Sequence, residues 1–295
     1  MYKPFAWVAL VFGVLPSSLA FAEVTISADV VYGHKFGLAM TFDVFTPKEK
    51  SNGAGVLFMV SGGWYSNWSP PAQTQKMFVP LTDAGYTVFA VRHGSSPKFG
   101  IPEAVDDVRR SVRFIRANAE TFGIDPNRLG VFGMSAGGHL SLMLGTTSDN
   151  GDPAASDPVL RTGSRVQAVA AWVAPTDLQI MVRDAADRLP AYDRFPALDL
   201  DLAAAKVHSP LLQVTADDAP TLLLAGDKDD LVPIQHSERI HNAFNMGAVP
   251  NKLVILQGAG HGFGDEDRAR AVGEMVSWFN EYLASPAGQD QSAAP

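Results

Sequence analysis

The chain has 295 residues, of which 46% are hydrophobic and 18% are charged, with a formal net charge of −8 at pH 7 and no cysteine. This length and composition fit one large domain with a substantial core. The acidic balance argues against nucleic acid or an anionic membrane surface as a partner, and the absence of cysteine excludes disulfides and a thiol nucleophile.

The first residues, 1–22, have the features of a signal peptide. Lys3 supplies a positive charge, residues 5–15 are apolar, and Ala20-Phe21-Ala22 fits the small-x-small rule for cleavage. The apolar run is too short to span a bilayer comfortably, and no later stretch approaches the length of a membrane span. We therefore predict export to a bacterial periplasm or the medium, with a mature chain that begins at Glu23.

Strands alternate with helices along the rest of the chain. Strands are predicted over residues 24–26, 30–32, 38–45, 56–60, 86–92, 129–132, 166–174, 221–225 and 253–256. Helices are predicted over residues 77–84, 139–145, 234–246 and 269–283, and over a segment that begins at Ile101 and ends by Gly123. This alternation predicts an α/β fold with a mostly parallel central sheet and helices on both faces.

No internal repeat or second domain is evident, so we predict a single domain over residues 23–284. Residues 178–218 contain short helical pieces and several prolines, and they are longer than a normal connection. We take this segment as a candidate small cap over a site. Residues 285–295 are rich in Ala, Pro, Gln and Ser and are predicted to be a disordered tail.

The most informative motif is Gly133-Met134-Ser135-Ala136-Gly137, which lies between a predicted strand and a predicted helix. A strand that turns sharply into a helix here would place Ser135 at the apex with its hydroxyl exposed. The glycines let the strand and the helix approach closely, and the N-terminus of the helix offers free amides to an oxyanion. By itself the pentapeptide fits a nucleophilic serine and an ordinary Gly-rich turn about equally well.

A pair of glycines, Gly62 and Gly63, follows the apolar run at residues 56–60. Without Cβ atoms, such residues can turn their backbone N–H groups toward a reacting oxygen. A plain tight turn is the alternative. The adjacent aromatic residues, Trp64 and Tyr65, are candidate walls of a substrate pocket.

Two later loops, each at the end of a predicted strand, supply an acidic cluster and a histidine. Asp227, Asp229 and Asp230 share one loop, and His261 lies between glycines in the other. A serine nucleophile needs an imidazole to accept its proton, and the imidazole needs a carboxylate to fix its tautomer. The chain order Ser, Asp, His is that of the α/β hydrolases, but it does not separate the three aspartates. A calcium loop is excluded because the other EF-hand ligand positions are missing.

Taken together, these segments resemble the exported esterase and lipase branch of the α/β hydrolases, especially the bacterial acetyl-xylan and feruloyl esterase-like proteins. The resemblance covers about residues 30–284. The matching segments are Gly62 to Trp64, Ile101 to Val108, Gly123 to Arg128, Gly133 to Leu140, Pro175 to Leu178, Asp217 to Thr221, Gly226 to Pro233 and Gly258 to Phe263. Each segment is a weak signal alone, but their order is specific, and it implies the α/β-hydrolase fold.

The resemblance also implies roles for individual residues. The family's Gly-x-x-Asp-x-x-Val-Pro pattern places the catalytic acid at Asp229, with Asp230 as the alternative, and Asp107 is expected to have a structural role.

The oxyanion loop departs from the family pattern. The family usually has His-Gly-Gly-Gly-Trp, whereas this chain reads Val60-Ser61-Gly62-Gly63-Trp64. Alignment on the strand makes Gly62 and Gly63 the donors, and alignment on the tryptophan makes Ser61 and Gly62 the donors. In both cases the amide of Ala136 supplies the other hydrogen bond.

We predict a serine carboxylic-ester hydrolase that works through an acyl-enzyme and needs neither a metal nor an organic cofactor. Ser135 is the predicted nucleophile, His261 the base and Asp229 the acid that orients it. The expected substrates are small-molecule or oligosaccharide esters, either short-chain or acetyl- and feruloyl-linked. Two alternatives stay open: a peptidase related to the prolyl-oligopeptidase hydrolase domain, and a catalytically silent fold used for binding. The sequence does not determine the oligomeric state.

Overall fold

The computed structural model of the protein describes residues 23–186 and 188–284. The predicted signal peptide at residues 1–22 and the predicted tail at residues 285–295 lie outside the described residues. Within the described ranges, none of the helices combines the length and the apolar character that a membrane crossing requires.

A single eight-stranded sheet forms the centre of the molecule, in the order β1-β2-β4-β3-β5-β6-β7-β8. Its strands are β1 (Val24–Lys35), β2 (Leu38–Pro47), β3 (Gly55–Met59), β4 (Thr87–Val91), β5 (Leu129–Met134), β6 (Ala168–Trp172), β7 (Thr221–Gly226) and β8 (Asn251–Leu256). The pairs β1–β2 and β2–β4 are antiparallel, and all pairs among β3 to β8 are parallel. The prediction of a mostly parallel sheet is confirmed.

Helices cover both faces of this sheet. They are α1 (Pro71–Asp83), α2 (Ile101–Ala117), α3 (Ala136–Thr146), α4 (Leu202–Val207), α5 (Gln235–Met246) and α6 (Asp265–Tyr282). The buried side chains of α1 and α6 belong to one hydrophobic cluster, and those of α2, α3 and α5 belong to a second cluster on the opposite face. Every residue of β4, β6 and β7 is buried, which explains their continuous apolar sequences.

Element boundaries differ from the predictions where apolar periodicity is weak. Helix α1 begins at Pro71 rather than at Met77, because proline at the first helical position has a backbone angle already suited to a helix. Helix α6 begins at Asp265 rather than at Ala269, and its first turn is acidic, which the positive end of the helix dipole stabilises. Residues 24–35 form one long strand instead of two short ones.

The 178–218 segment consists of short 3-10 turns and helix α4. Several of its apolar side chains are buried: Leu178, Met181, Val182, Tyr192, Ala197, Leu198 and Ala205. These side chains belong to the same hydrophobic cluster as α2 and α3. The segment therefore packs on the core as part of the domain.

Candidate active site

Ser135 lies between the end of β5 and the first residue of α3, as the motif predicts. Its backbone has φ 56° and ψ −121°, a conformation that costs energy for any residue with a side chain. Two hydrogen bonds hold it there: the Ser135 N–H donates to the carbonyl of Trp172 at 2.8 Å, and the Ser135 carbonyl accepts from the His139 N–H at 2.9 Å. Hydrogen bonds to β6 and to α3 thus stabilise the strained turn.

Gly133 is required by the close approach of helix α3 to strand β5. A Cβ atom at this position would lie 2.3 Å from the backbone carbonyl carbon of Gly137. Backbone atoms on both sides leave no flexible side chain that could move to make room. The strand and the helix can therefore meet beneath Ser135 only with glycine at position 133.

Gly133→Ala should lower the free energy of unfolding by about 3 kcal/mol, because the added methyl group overlaps fixed backbone. Gly273→Ala is the matched control, since a Cβ there, in the exposed middle of α6, meets nothing within 4 Å. That variant should gain about 0.5–1 kcal/mol from helix propensity. Urea unfolding measures the free energy of unfolding of both variants. An equal change in the two variants would contradict the requirement for glycine at position 133.

Ser135, His261 and Asp229 form one hydrogen-bonded chain. The Ser135 Oγ lies 3.0 Å from His261 Nε2, and His261 Nδ1 lies 2.8 Å from Asp229 Oδ2. A carboxylate can only accept, so Nδ1 carries the proton and Nε2 is left to accept from the serine hydroxyl. This is the arrangement in which an imidazole can take the proton of a serine nucleophile.

Of the three aspartates in the loop after β7, only Asp229 contacts the histidine in this arrangement. Its Oδ1 accepts from the N–H groups of Leu231 and Val232 at 3.0 and 2.8 Å, and the residue is 7% exposed. Asp230 is exposed to solvent, and Asp227 accepts from the Gly258 N–H in the loop that carries His261. The geometry therefore agrees with Asp229 as the acid.

The amides of Ala136 and Gly63 are available as oxyanion donors. Ala136 is the first residue of α3, where a helix leaves its N–H groups without an intrahelical partner. Gly63 lies in a tight turn with φ 57°, and within the described residues its N–H donates to no protein group. Their assignment as donors stays a prediction that the geometry allows.

Gly62 differs from the prediction. Its N–H donates to the carbonyl of Tyr65 at 3.0 Å, and its carbonyl accepts from the Tyr65 N–H at the same distance. The pair closes the turn across Gly63 and Trp64, and the amide of Gly62 is already engaged. Both alignments of the loop had included Gly62 as a donor, and the structure favours Gly63 in its place.

Trp64 also differs from the prediction that it lines a pocket. Its ring is 2% exposed and packs in the core beneath the loop. The indole N–H donates to His139 Nδ1 at 3.2 Å, and the other nitrogen of that histidine bonds the carbonyl of His208 at 2.8 Å. Trp64 thus connects the loop to α3 and to the 178–218 segment. Tyr65 is partly exposed, and its place in the pocket stays a prediction.

The oxyanion loop is held by His93, which lies two residues after the end of β4. Ser61 donates from Oγ to His93 Nε2 at 2.9 Å. His93 donates from Nδ1 to the carbonyl of Gly94 at 2.8 Å, and the Gly94 N–H donates to Asp107 at 2.8 Å. Lys35 pairs with the same carboxylate at 2.6 Å. Sequence reasoning missed His93, since no motif surrounds it.

Three buried histidines are held in the neutral form. Burial lowers the pKa of His93, and it lowers the pKa of both His139 and His236 to about 4. His236 accepts the Thr176 N–H on Nδ1 at 3.1 Å, so the proton is on its other nitrogen.

His139 and His236 should make the fold less stable in mild acid. In the unfolded chain they take up protons near pH 6.5, while in the folded protein they stay neutral to about pH 4. Their contribution to the free energy of unfolding is therefore fully present above pH 6.5. It is lost as the pH falls toward 4, by about 1.4 kcal/mol per pH unit for each histidine. Thermal denaturation between pH 7.5 and 4.5 measures this slope.

His236→Asn should weaken the dependence of stability on pH, because the asparagine side-chain oxygen can still accept the Thr176 N–H but takes up no proton. His34→Gln, at an exposed position, is the control and should leave the slope unchanged. A melting temperature that does not change between pH 7 and 5 would contradict the neutral assignment.

A cavity of about 550 Å³ lies between α1 and α6. Its floor consists of Phe58, Phe132 and Trp172 on the sheet, and no side chain of the Ser135–His261–Asp229 chain lines it. Ligands of open α/β sheets bind beyond the carboxyl ends of the strands, where the partly buried Ser135 and His261 lie. Met134, next to Ser135, and Phe263, two residues after His261, also line the cavity. Among the described residues, no group of three or more His, Asp or Glu side chains could hold a metal ion.

Comparison with known proteins shows the family and the fold of the chain. The BD-FAE family model matches residues 42–244, which is more than half of the chain. The chain belongs to the BD-FAE family. A second family model, described as TAP-like protein, matches residues 202–292. The fold of this BD-FAE family member is the α/β-hydrolase fold, as the resemblance implied.

Curated relatives include the probable carboxylic ester hydrolase LipM of Mycobacterium tuberculosis, which is 28% identical over 87% of this chain and 60% of its own length. The ethyl acetate hydrolase of Pseudomonas putida is 28% identical over 72% of this chain and 66% of its own length. The chain spans about 60% of the length of LipM and of two other mycobacterial esterases that it matches.

Solved structures show the same fold. The acetyl ester-xyloside bifunctional hydrolase of Caldicellulosiruptor lactoaceticus superimposes with a TM-score of 0.75 at 21% identity, over 88% of this chain and 97% of that one. At this level of identity the likeness concerns the fold alone.

Proposed function

We propose that this BD-FAE family member is a serine carboxylic-ester hydrolase. The observation that carries the proposal is the chain of hydrogen bonds from Ser135 through His261 to Asp229, at 3.0 and 2.8 Å. The names of relatives, such as probable carboxylic ester hydrolase and ethyl acetate hydrolase, support the same reaction.

In the first half of the reaction, Ser135 Oγ attacks the ester carbonyl carbon while its proton moves to His261 Nε2. The carbonyl oxygen becomes an oxyanion, which accepts hydrogen bonds from the amides of Ala136 and Gly63. The intermediate then collapses: the bond from carbon to the alcohol oxygen breaks, and His261 donates its proton to that oxygen. An alcohol departs, and the acyl group stays on Ser135.

In the second half, His261 takes a proton from water, and the resulting hydroxide attacks the acyl carbon. The second oxyanion collapses, the bond to Ser135 Oγ breaks, and the serine recovers its proton from His261. Asp229 accepts from Nδ1 throughout and stabilises the imidazolium that forms in each half. The carboxylic acid is released and the enzyme is regenerated.

The proposed substrates are short-chain esters or acetyl and feruloyl esters of carbohydrates. Support comes from the names of similar proteins, which include an ethyl acetate hydrolase and an acetylxylan esterase. The signal-peptide pattern of residues 1–22 is the basis for proposing that the protein acts outside the cytoplasm, on material in the periplasm or medium.

An ester panel on the mature chain tests the proposal. It should contain 4-nitrophenyl esters of increasing acyl length, acetylated and feruloylated sugars, and an Xaa-Pro anilide. We expect the esters to be cleaved and the anilide to be cleaved at least about 100-fold less efficiently. Cleavage of the anilide with equal or greater efficiency would favour a peptidase, and absence of hydrolysis on every substrate would favour a binding protein.

A further inference from the structure

Four hydrogen bonds join the oxyanion loop and the residues just after it to the loop that follows β4, from His93 to Ser96 (the β4 loop). Before Gly63, the Ser61 Oγ donates to His93 Nε2 at 2.9 Å. After Gly63, the carbonyl of Trp64 accepts from the Ser96 N–H at 3.1 Å. The chain is therefore held on both sides of Gly63, the residue whose amide is available to an oxyanion.

Ser66 supplies the other two of these hydrogen bonds. Its Oγ accepts from the His93 N–H at 3.2 Å and donates to the carbonyl of Val60 at 2.7 Å. Its N–H donates to Ser95 Oγ at 3.0 Å. The two ends of the turn that contains Gly63 are thus tied to each other and to the β4 loop.

The β4 loop is in turn anchored by a buried carboxylate. Asp107 of α2 is 6% exposed, accepts the Gly94 N–H at 2.8 Å and pairs with Lys35 of β1 at 2.6 Å. The carbonyl of Gly94 accepts from His93 Nδ1 at 2.8 Å. This bond places the ring proton on Nδ1, so Nε2 is left as the acceptor for Ser61.

We propose that His93 is a positioning residue, which acts through Ser61 to aim the Gly63 N–H at the oxyanion. The inference rests on the proposed ester hydrolysis and adds a residue on which its transition state depends. An amide stabilises an oxyanion best when its direction is fixed before the reaction. Glycines adopt many backbone conformations, so a turn with two adjacent glycines needs support from outside.

A double-mutant cycle tests whether His93 acts through Ser61. Ser61→Ala and His93→Ala should each lower kcat and kcat/KM for 4-nitrophenyl acetate by a similar factor, at least about 10-fold, because the lost support acts in the transition state. Combining the two changes should cost at most about 2-fold more than His93→Ala alone, because both remove the same hydrogen bond.

Two further variants complete the cycle. His93→Gln should recover most of the activity, because its side-chain oxygen can accept the Ser61 hydroxyl in place of Nε2. Ser27→Ala, at an exposed position of β1, makes the same chemical change as Ser61→Ala on a hydroxyl outside this network. It is the control and should keep wild-type activity.

Inhibition by a trifluoromethyl ketone separates positioning from a loss of folded protein. Ser135 Oγ adds reversibly to the ketone carbon, its proton moves to His261, and the ketone oxygen becomes an anion like that of the transition state. The inhibition constant does not depend on how much of the protein is folded. It should rise in Ser61→Ala and in His93→Ala by about the factor by which kcat/KM falls.

Two results would overturn the proposal. One is an inhibition constant that stays at the wild-type value in both single variants, and the other is a pair of losses in kcat/KM that multiply in the double variant. If His93→Ala does not fold, Ser61→Ala decides alone, since it changes one partly exposed hydroxyl. Failure of the proposed function itself gives a different result, since the wild type would then hydrolyse no ester and bind no trifluoromethyl ketone.

Discussion

Ser135→Ala should reduce kcat for ester hydrolysis at least about 10⁴-fold, with the fold intact. Alanine removes only the hydroxyl oxygen that lies 3.0 Å from His261 Nε2, and it keeps the Cβ that the strained turn already accommodates. Without that oxygen no acyl-enzyme can form, and the oxyanion amides alone give only a small acceleration over water. Steady-state hydrolysis of 4-nitrophenyl acetate measures the loss.

Ser156→Ala, at an exposed loop position, is the matched control and should keep wild-type activity. Thermal melting of both variants should match the wild type, which excludes unfolding as the cause. Activity that persists in Ser135→Ala would remove this residue from the mechanism.

Asp229→Asn should reduce kcat by about 10³- to 10⁴-fold. Asparagine has the same shape, but its amide can present an N–H group to His261 Nδ1 and so favour the tautomer that cannot accept the serine proton. It also removes the negative charge that stabilises the imidazolium. Asp229 is buried with both oxygens engaged, and among the described residues it is the carboxylate that contacts Nδ1.

The neighbouring aspartate provides a strict comparison. Asp230→Asn makes the same chemical change one residue later, on a side chain exposed to solvent, and should keep kcat within about 2-fold of the wild type. If Asp230→Asn were as damaging as Asp229→Asn, the acid would not be the residue that the hydrogen bonds indicate.

The parallel sheet and the serine turn could be predicted from sequence because both depend on local, repeated constraints. Strands buried on both faces must be apolar throughout, and β6 and β7 are continuous apolar runs for that reason. The Gly-x-Ser-x-Gly motif needs small residues where strand and helix meet, and Gly133 shows why.

The acid was harder to predict because three aspartates share one loop. What distinguishes Asp229 is a pair of backbone N–H groups, from Leu231 and Val232, that bind its second oxygen and fix the first toward His261. That geometry depends on the path of the loop, which no residue pattern encodes by itself. Resemblance to a family was needed to choose it.

The oxyanion loop was predicted least well, and the reason is a hydrogen bond between two backbone groups. Pairing of Gly62 with Tyr65 engages the amide that both alignments had selected. The loop lacks the family's histidine, and His93, distant in sequence and just after the end of β4, bonds Ser61. Contacts of this kind depend on tertiary packing, and a single sequence gives no signal for them.

The most direct measurement of the central claim is the site at which an organophosphate attaches. An aryl diethyl phosphate reacts with an activated serine, loses its phenol and leaves a diethylphosphoryl group on the oxygen. Peptide mass spectrometry after such a reaction should find one group per chain, on the peptide that contains Ser135, and none on that peptide in Ser135→Ala. A wild-type protein that hydrolyses esters but carries the group on another residue, or carries none, would contradict Ser135 as the nucleophile.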